Sequence, residues 1–130
     1  TKKLPVLFVC EDNNLSILTP IAVRRSWSIV DVARSLGIQA ADITDDPWLI
    51  AHTVESFFGS LPAFINIRTC LHRWHGGTGT DGEPEWNRFE LWKGELRSLG
   101  LESEARAIEE DAKEAVQRIW QEQLRRPSAV

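Results

Sequence analysis

The sequence predicts an α/β fold, with a partial parallel sheet built in the order strand, helix, strand, helix, strand and followed by two carboxy-terminal helices. Two observations predict it. Apolar runs rich in β-forming residues alternate with amphipathic segments over residues 4–71, as expected of parallel strands joined by crossover helices. Beyond a glycine-rich stretch, the rest of the chain keeps a helical apolar period and has no further strand-like run.

Three apolar runs are the predicted strands: residues 4–10 (LPVLFVC), 38–43 and 63–71 (AFINIRTCL). The first is nearly unbroken, as in a parallel strand covered on both faces. The third contains the alternating pair Ile65 and Ile67. Cys10 and Cys70 fall inside these runs, where a thiol usually behaves as a small buried hydrophobe, so we expect no disulfide.

Local stop and start signals place the two crossover helices. The first helix is predicted over residues 28–36. Ser28 and Asp31 form a capping box at its start, and Gly37 ends it. Asp46 and Pro47 supply the N-cap and first residue of the second helix. Its apolar face ends around residues 59–62.

Two further helices are predicted over residues 85–99 and 102–126, after a polar, glycine-rich loop at residues 72–84. The longer helix carries an apolar stripe from Ala105 to Leu124. We therefore divide the chain into an α/β part, residues 1–84, and a helical extension, residues 85–130, which packs on that part or on a partner. Three parallel strands leave an edge and an apolar face uncovered, so the first part resembles half of a larger domain.

Bulk composition excludes several classes of protein. The formal net charge is −4, and no Lys/Arg stripe could neutralise a phosphate backbone, so nucleic acid is not an expected partner. No apolar run approaches the roughly 20 residues that span a bilayer, and no secretory signal is recognisable. We expect a cytoplasmic protein that does not associate with membranes.

The turn after the first strand is the clearest candidate site. Ligands of open α/β sheets bind at the carboxyl ends of the strands, and Mg²⁺ prefers oxygen ligands. The amide of Asn13 and the backbone carbonyl of Leu15 could supply two of them. Alternatively, these residues simply form a turn, since Asp and Asn hydrogen-bond their own backbone.

Residues 10–20 (CEDNNLSILTP) resemble the closing half of the thiamine-diphosphate motif in the alpha subunit of 2-oxoacid dehydrogenase E1 components, which reads much like C-E-N-N-G-Y-A-I-S-T-P. Six positions are identical: Cys10, Glu11, Asn13, Ile17, Thr19 and Pro20. The resemblance implies metal ligation by the Asn13 side chain and the Leu15 carbonyl. It departs from the family at the other five positions, which include Asp12, Asn14, Leu15 and Leu18. The order of elements over nearly the whole chain follows the family's carboxy-terminal part.

The glycine-rich loop resembles the family's R-x-x-G-H-S segment, which lies beside the cofactor diphosphate. By this resemblance Arg73 and His75 are cofactor-binding candidates, and His75, which is displaced from the position of the motif's histidine, is also the candidate catalytic residue. A His and an Arg in such a loop suit an anionic group. A solvated loop with incidental basic residues is the alternative.

The implied function is part of a thiamine-diphosphate and Mg²⁺-dependent enzyme that decarboxylates a 2-oxoacid and passes the acyl unit to a lipoyl acceptor. The family's Gly-Asp-Gly element is absent from the chain, so the cofactor site is incomplete and the isolated chain is expected to be inactive. The implied partners are the rest of the domain, or a second chain that supplies it, and a beta-type E1 subunit, in an oligomer.

Other interpretations belong to different classes of protein or site. The first is a non-catalytic assembly module that keeps the fold and has lost the cofactor site. The second is a response-regulator receiver domain, which needs an Asp after its third strand and a Lys after its fifth. It fails because residues 63–71 contain no Asp and the only lysines are Lys2, Lys3, Lys93 and Lys113. The third is a zinc site at His72, His75 and Asp81, whose spacing matches no standard pattern.

Overall fold

The computed structural model describes residues 4–17, 19–70 and 87–126, and it has an α/β fold with a three-stranded parallel sheet and carboxy-terminal helices. The chain separates into two compact units, Thr1–Arg88 and Phe89–Val130, which are described here one at a time. The elements in chain order are β1 (Leu7–Asp12), β2 (Leu15–Ser16), β3 (Thr19–Pro20), α1 (Ile21–Arg24), α2 (Ile29–Ser35), β4 (Gln39–Thr44), α3 (Pro47–Phe57), β5 (Ala63–Arg68), α4 (Arg88–Ser98) and α5 (Glu102–Leu124).

The sheet of the first unit has the strand order β1-β5-β4, and both pairings are parallel. Strand β5 is central, so the last strand in sequence lies between the other two. The three strands end at the same level, because Arg68 is opposite Asp12 on one side and Thr44 on the other. The segments that follow them therefore leave the sheet at one edge, as parallel pairing requires.

The core lies between the parallel sheet and helix α3. Ile65 is fully buried, and it clusters with Ile67 and Ile43 of the sheet and with Phe57 of the helix. Burial of such side chains is worth roughly 1.5–3 kcal/mol each. Helix α2 also packs near β4 and β5, and it buries Val30 and Ala33.

The helix signals in the sequence are confirmed. Ser28 caps α2, because its side chain accepts a hydrogen bond from the backbone N–H of Asp31 at 3.3 Å. Gly37 ends that helix with φ of 73°, in the left-handed region that glycine adopts without strain. Asp46 accepts from the N–H of Leu49 at 2.9 Å, and Pro47 is the first residue of α3.

The two edges of the sheet differ in character. Edge strand β1 exposes Phe8 (48%) on one face and Val9 (54%) on the other. Apolar surface thus stays exposed on this edge strand, as expected of three parallel strands by themselves. The opposite edge strand, β4, exposes polar residues instead: Gln39, Asp42 and Thr44.

The second unit is a helical hairpin. Leu96 is its one buried hydrophobic residue in the described part, and α5 buries none of its residues. Ion pairs join the two helices, between Lys93 and Glu109 at 3.6 Å and between Arg97 and Glu102 at 3.1 Å. Gly100, with φ of 76°, lies in the connection.

Two boundaries differ from the sequence prediction. Strand β1 begins three residues later than expected and continues through the charged residues Glu11 and Asp12, because their backbone groups still pair with β5. Strand β5 stops at Arg68, so Cys70 lies beyond it and is exposed instead of buried. Both cysteines are free. Within the described ranges, no helix is long and apolar enough to cross a membrane.

Candidate functional site

A cluster of polar and charged side chains lies toward the carboxyl ends of the sheet strands. It comprises Asp12, Arg25, Asp42, Asn66 and Arg68, and we call it the carboxyl-edge cluster. Strands β1, β4 and β5 each contribute to it, while Arg25 follows helix α1. This is the edge at which open parallel sheets bind their ligands.

Asn66 is the centre of the cluster. It lies in β5 opposite Cys10 on one side and Asp42 on the other, and only 5% of it is exposed. Its Nδ2 donates to Asp42 Oδ1 at 3.0 Å and to Asp12 Oδ2 at 3.5 Å. One buried amide group thus links carboxylates from both neighbouring strands, which offsets the cost of burying it.

The other amide atom of Asn66 has no such compensation. Its Oδ1 is buried and accepts no hydrogen bond from any described residue. An amide oxygen has two lone pairs, and leaving a buried acceptor unsatisfied costs about 1–3 kcal/mol. The site therefore keeps an unused acceptor beside two carboxylates.

Asp12 is held on three sides. Its Oδ1 accepts from the backbone N–H of Asn14 at 2.9 Å, and its Oδ2 lies 3.5 Å from Arg25 Nη2 and from Asn66 Nδ2. The Asp12 and Arg25 side chains are only 15% and 13% exposed, so the pair is screened less than a surface pair. The Arg25 guanidinium also lies over the Trp27 ring, 4.6 Å from its centroid.

The turn after β1 contains both predicted metal ligands. Asn13 Oδ1 accepts a hydrogen bond from the backbone N–H of Leu15 at 3.0 Å, which is the self-bonded turn expected of Asn. Asn14 has φ of 63°, a conformation that Asn tolerates. Its carbonyl accepts from the N–H of Ile21 at 2.9 Å, and β2 pairs with β3. The turn reading is thus confirmed.

Formation of this turn does not prevent Asn13 and Leu15 from binding a metal ion. The hydrogen bond from Leu15 uses one lone pair of Asn13 Oδ1, so a second remains. In the described part of the chain, no group of three or more His, Cys, Asp or Glu side chains is arranged to hold a metal ion. Mg²⁺ also takes amide and carbonyl oxygens, and those are the ligand types that Asn13 and Leu15 offer.

The other two predicted site residues, Arg73 and His75, lie outside the described residues. The structure brings Asn13 and Leu15 together in one turn. The roles of Arg73 and His75 in cofactor binding and catalysis stay predictions.

Cys10 is a partly buried thiol beside the cluster. Burial raises its pKa, as do the negative charges of Asp12 and Glu11, while Arg25 opposes them. A raised pKa keeps the group as a thiol at neutral pH, whereas the thiolate is the nucleophile. The surroundings of Cys10 therefore do not activate it as a nucleophile.

Comparison of the chain with protein-family models, with curated proteins and with solved structures finds no match in any of the three. The site must be interpreted from its own chemistry. Sequence reasoning missed Arg25, Asp42, Asn66 and Arg68. The available signal was Asn66, an uncharged polar residue inside the otherwise apolar run 63–67, since a buried amide in a central strand needs partners on the strands beside it.

Proposed function

We propose that the chain is part of a thiamine-diphosphate and Mg²⁺-dependent enzyme that decarboxylates a 2-oxoacid and passes the acyl unit to a lipoyl acceptor. The observation that carries the proposal is the position of residues 10–20. The segment that resembles the E1 alpha motif forms the end of β1 and the turn after it, at the carboxyl end of a parallel sheet. A cofactor of this kind is expected there.

The oxygen groups of the turn fit a hard cation. Asn13 would bind Mg²⁺ through the free lone pair of its amide oxygen and Leu15 through its backbone carbonyl, with cofactor phosphate oxygens among the other ligands. Thiamine diphosphate, when bound, supplies the carbanion-stabilising group that decarboxylation needs. The Asp12 hydrogen bonds hold the start of the turn in place.

Strand β1 supports the view that the site is shared with another polypeptide segment. Phe8 and Val9 leave apolar surface on both faces of this edge strand, and the strand has a pairing partner on one side only among the described residues. An exposed apolar edge of this kind is normally covered. We expect the missing half of the domain, or a second chain, to pair there and bring the acidic metal ligand.

A second candidate, an assembly module without cofactor, is favoured by how fully the turn is self-satisfied. Asn13 bonds Leu15, and Asp12 is engaged by Arg25, Asn66 and Asn14. Such a turn needs no ligand to keep its shape. Apolar surface on β1 and on α5 would then serve subunit contacts alone.

Isothermal titration with thiamine diphosphate and Mg²⁺ separates the two. We expect no binding by the isolated chain and binding once a beta-type E1 subunit and the missing segment are present. Micromolar binding by the isolated chain would contradict the incomplete site. No binding with every partner present would favour the assembly module.

Two neighbouring substitutions identify the metal ligand in the assembled complex. Asn13→Ser keeps an oxygen that can bond the Leu15 N–H but removes the amide, so Mg²⁺-dependent binding should weaken by about 10-fold or more, in the range seen when metal sites are perturbed. The matched control is Asn14→Gly, which preserves the positive φ and should leave binding unchanged. Equal binding by both variants would remove Asn13 from the site.

A further inference from the structure

Helix α5 presents an apolar face that its own unit does not cover. Between residues 108 and 119, three large side chains on this face are 54–69% exposed: Ile108, Val116 and Ile119. The amino-terminal part of this face forms a groove of ≈ 880 Å³ with Phe89, Trp92 and Leu96 of α4. Contiguous apolar surface of this kind marks an interaction site.

The acidic and basic side chains of α5 are concentrated in opposite halves of the helix. Residues 102–111 hold five acidic and one basic side chain, whereas residues 112–126 hold four basic and two acidic ones. The helix dipole accounts for charge preferences only in the first and last turns. Asp111 and Arg118 lie in interior turns, so the division needs another reason.

The apolar seam of α5 and the charged residues beside it repeat every seven residues. Ala105, Ile108, Ala112, Ala115 and Ile119 recur at alternating three- and four-residue steps, as along a helix–helix seam. One flank of that seam carries Glu104, Asp111, Arg118 and Arg125 at intervals of seven residues. The first two are acidic and the last two are basic.

The hairpin leaves this flank open. Helix α4 forms its ion pairs with Glu102 and Glu109 on the other flank. Within residues 87–126, Asp111, Arg118 and Arg125 form no ion pair, and Glu104 accepts hydrogen bonds from its own backbone N–H and from its neighbour Ser103.

We propose that a second copy of this chain covers the face, with the two α5 helices antiparallel about a twofold axis close to residues 112–115. In that register Ile108 faces Ile119 of the other copy. Antiparallel helices bring like flanks together, so Glu104 meets Arg125 and Asp111 meets Arg118, twice each by symmetry. With α4 from each copy, the result is a four-helix arrangement.

Parallel pairing is disfavoured by the same charges. It would place the acidic half of one α5 beside the acidic half of the other, and acidic on acidic is repulsive. This inference is independent of the proposed cofactor chemistry, since it concerns residues 89–126 alone.

Sedimentation equilibrium of the full chain tests the pairing. We expect a reversible dimer at low ionic strength whose Kd rises with added NaCl, because screening weakens opposite-charge contacts. Parallel pairing would instead tighten with salt. A chain that stays monomeric at about 100 μM, a concentration well above the Kd of a specific complex, would overturn the proposal and leave the face to a different protein.

Matched substitutions locate the interface. Ile119→Glu puts a charge into the seam of both copies, and we expect the Kd to rise at least about 30-fold. Gln121→Glu adds the same charge two residues away on the outward face of α5 and should leave the Kd unchanged. Equal Kd values for the two variants would refute the seam, and far-UV circular dichroism checks that both keep their helix content.

Charge swapping tests the orientation. The double variant Arg118→Glu with Arg125→Glu replaces four attractive contacts by repulsive ones, and its Kd should rise at least about 30-fold. Adding Glu104→Arg and Asp111→Arg to the same chain restores complementarity in the antiparallel register and should restore dimerisation. If this quadruple variant does not dimerise, the proposed register is wrong.

Discussion

The sheet unit and the helical hairpin are stabilised in opposite ways. The sheet unit buries a cluster around Ile65, whose members come from distant parts of the sequence, and a polar network that joins three strands. The hairpin has one buried hydrophobic residue in its described part, Leu96, and is joined by surface ion pairs. Exposed ion pairs contribute little to stability. The described part of the hairpin therefore has little apolar packing of its own, whereas the sheet unit has a core.

The largest expected effect is the loss of core packing. Ile65→Ala removes a fully buried side chain and should lower the free energy of unfolding by about 3 kcal/mol, within the range for buried Ile to Ala. The same change at Ile108, which is 69% exposed, should cost less than about 0.5 kcal/mol in dilute solution. Urea unfolding measures both. Similar costs at the two positions would break the contrast between the units.

Disruption of the polar network in the sheet unit is expected to have the next largest effect. Asn66→Asp removes the donor that bridges Asp12 and Asp42 and buries a third carboxylate, so we expect a loss of roughly 2–4 kcal/mol at pH 7. Repulsion raises the pKa of the introduced carboxyl above its unfolded value, so the folded state binds the extra proton and the loss shrinks as the pH falls. Urea unfolding at pH 5 and pH 7 tests this. If the loss of unfolding free energy were the same at pH 5 and pH 7, ionisation of the introduced carboxyl would not be its cause.

Helix capping sharpens the comparison on a smaller scale. Asp46 caps α3, whereas Leu101 at the start of α5 has no side-chain capping bond. Asp46→Ala should cost about 1 kcal/mol, while Asp46→Asn keeps the acceptor and should recover most of it. Thermal unfolding of both variants separates the cap from the charge. Equal losses would assign the effect to the charge instead.

The smallest effect belongs to the hairpin surface. The hydrogen bond from Lys113, together with the charges of Lys113 and Lys93, holds the pKa of Glu109 below its ordinary value of 4.5. Because the folded pKa is the lower one, the stabilisation is present above pH 4.5 and is lost as the pH falls through the folded pKa. Helix content from circular dichroism should decline slightly over that window. In Glu109→Gln the decline should be reduced, and an unchanged decline would show that other carboxylates cause it.

Much of the first unit could be predicted because its signals are local. The Ser28 and Asp46 caps and the Gly37 stop each depend on a few neighbouring residues, and the sequence places all three correctly. Strand ends were less predictable, because backbone pairing continues through Glu11 and Asp12 regardless of side-chain polarity.

The candidate site was only partly predictable because its members are far apart in sequence. Asn66 meets Asp12 across 54 residues and Asp42 across 24, and those contacts follow from the strand order β1-β5-β4, which no local pattern specifies. The turn at Asn13 was accessible because Asx turns are local. The depth of burial of Asn66 required the fold.

The two edge strands of the sheet, β1 and β4, differ in how well they can accept a further strand. A strand added to β1 would cover Phe8 and Val9, whereas the far edge offers the polar side chains of Gln39, Asp42 and Thr44. Continuous stacking into a fibril requires a receptive edge on each side of every subunit, and charged edge strands are a known protection against it. A further strand is therefore expected to pair with β1 in preference to β4.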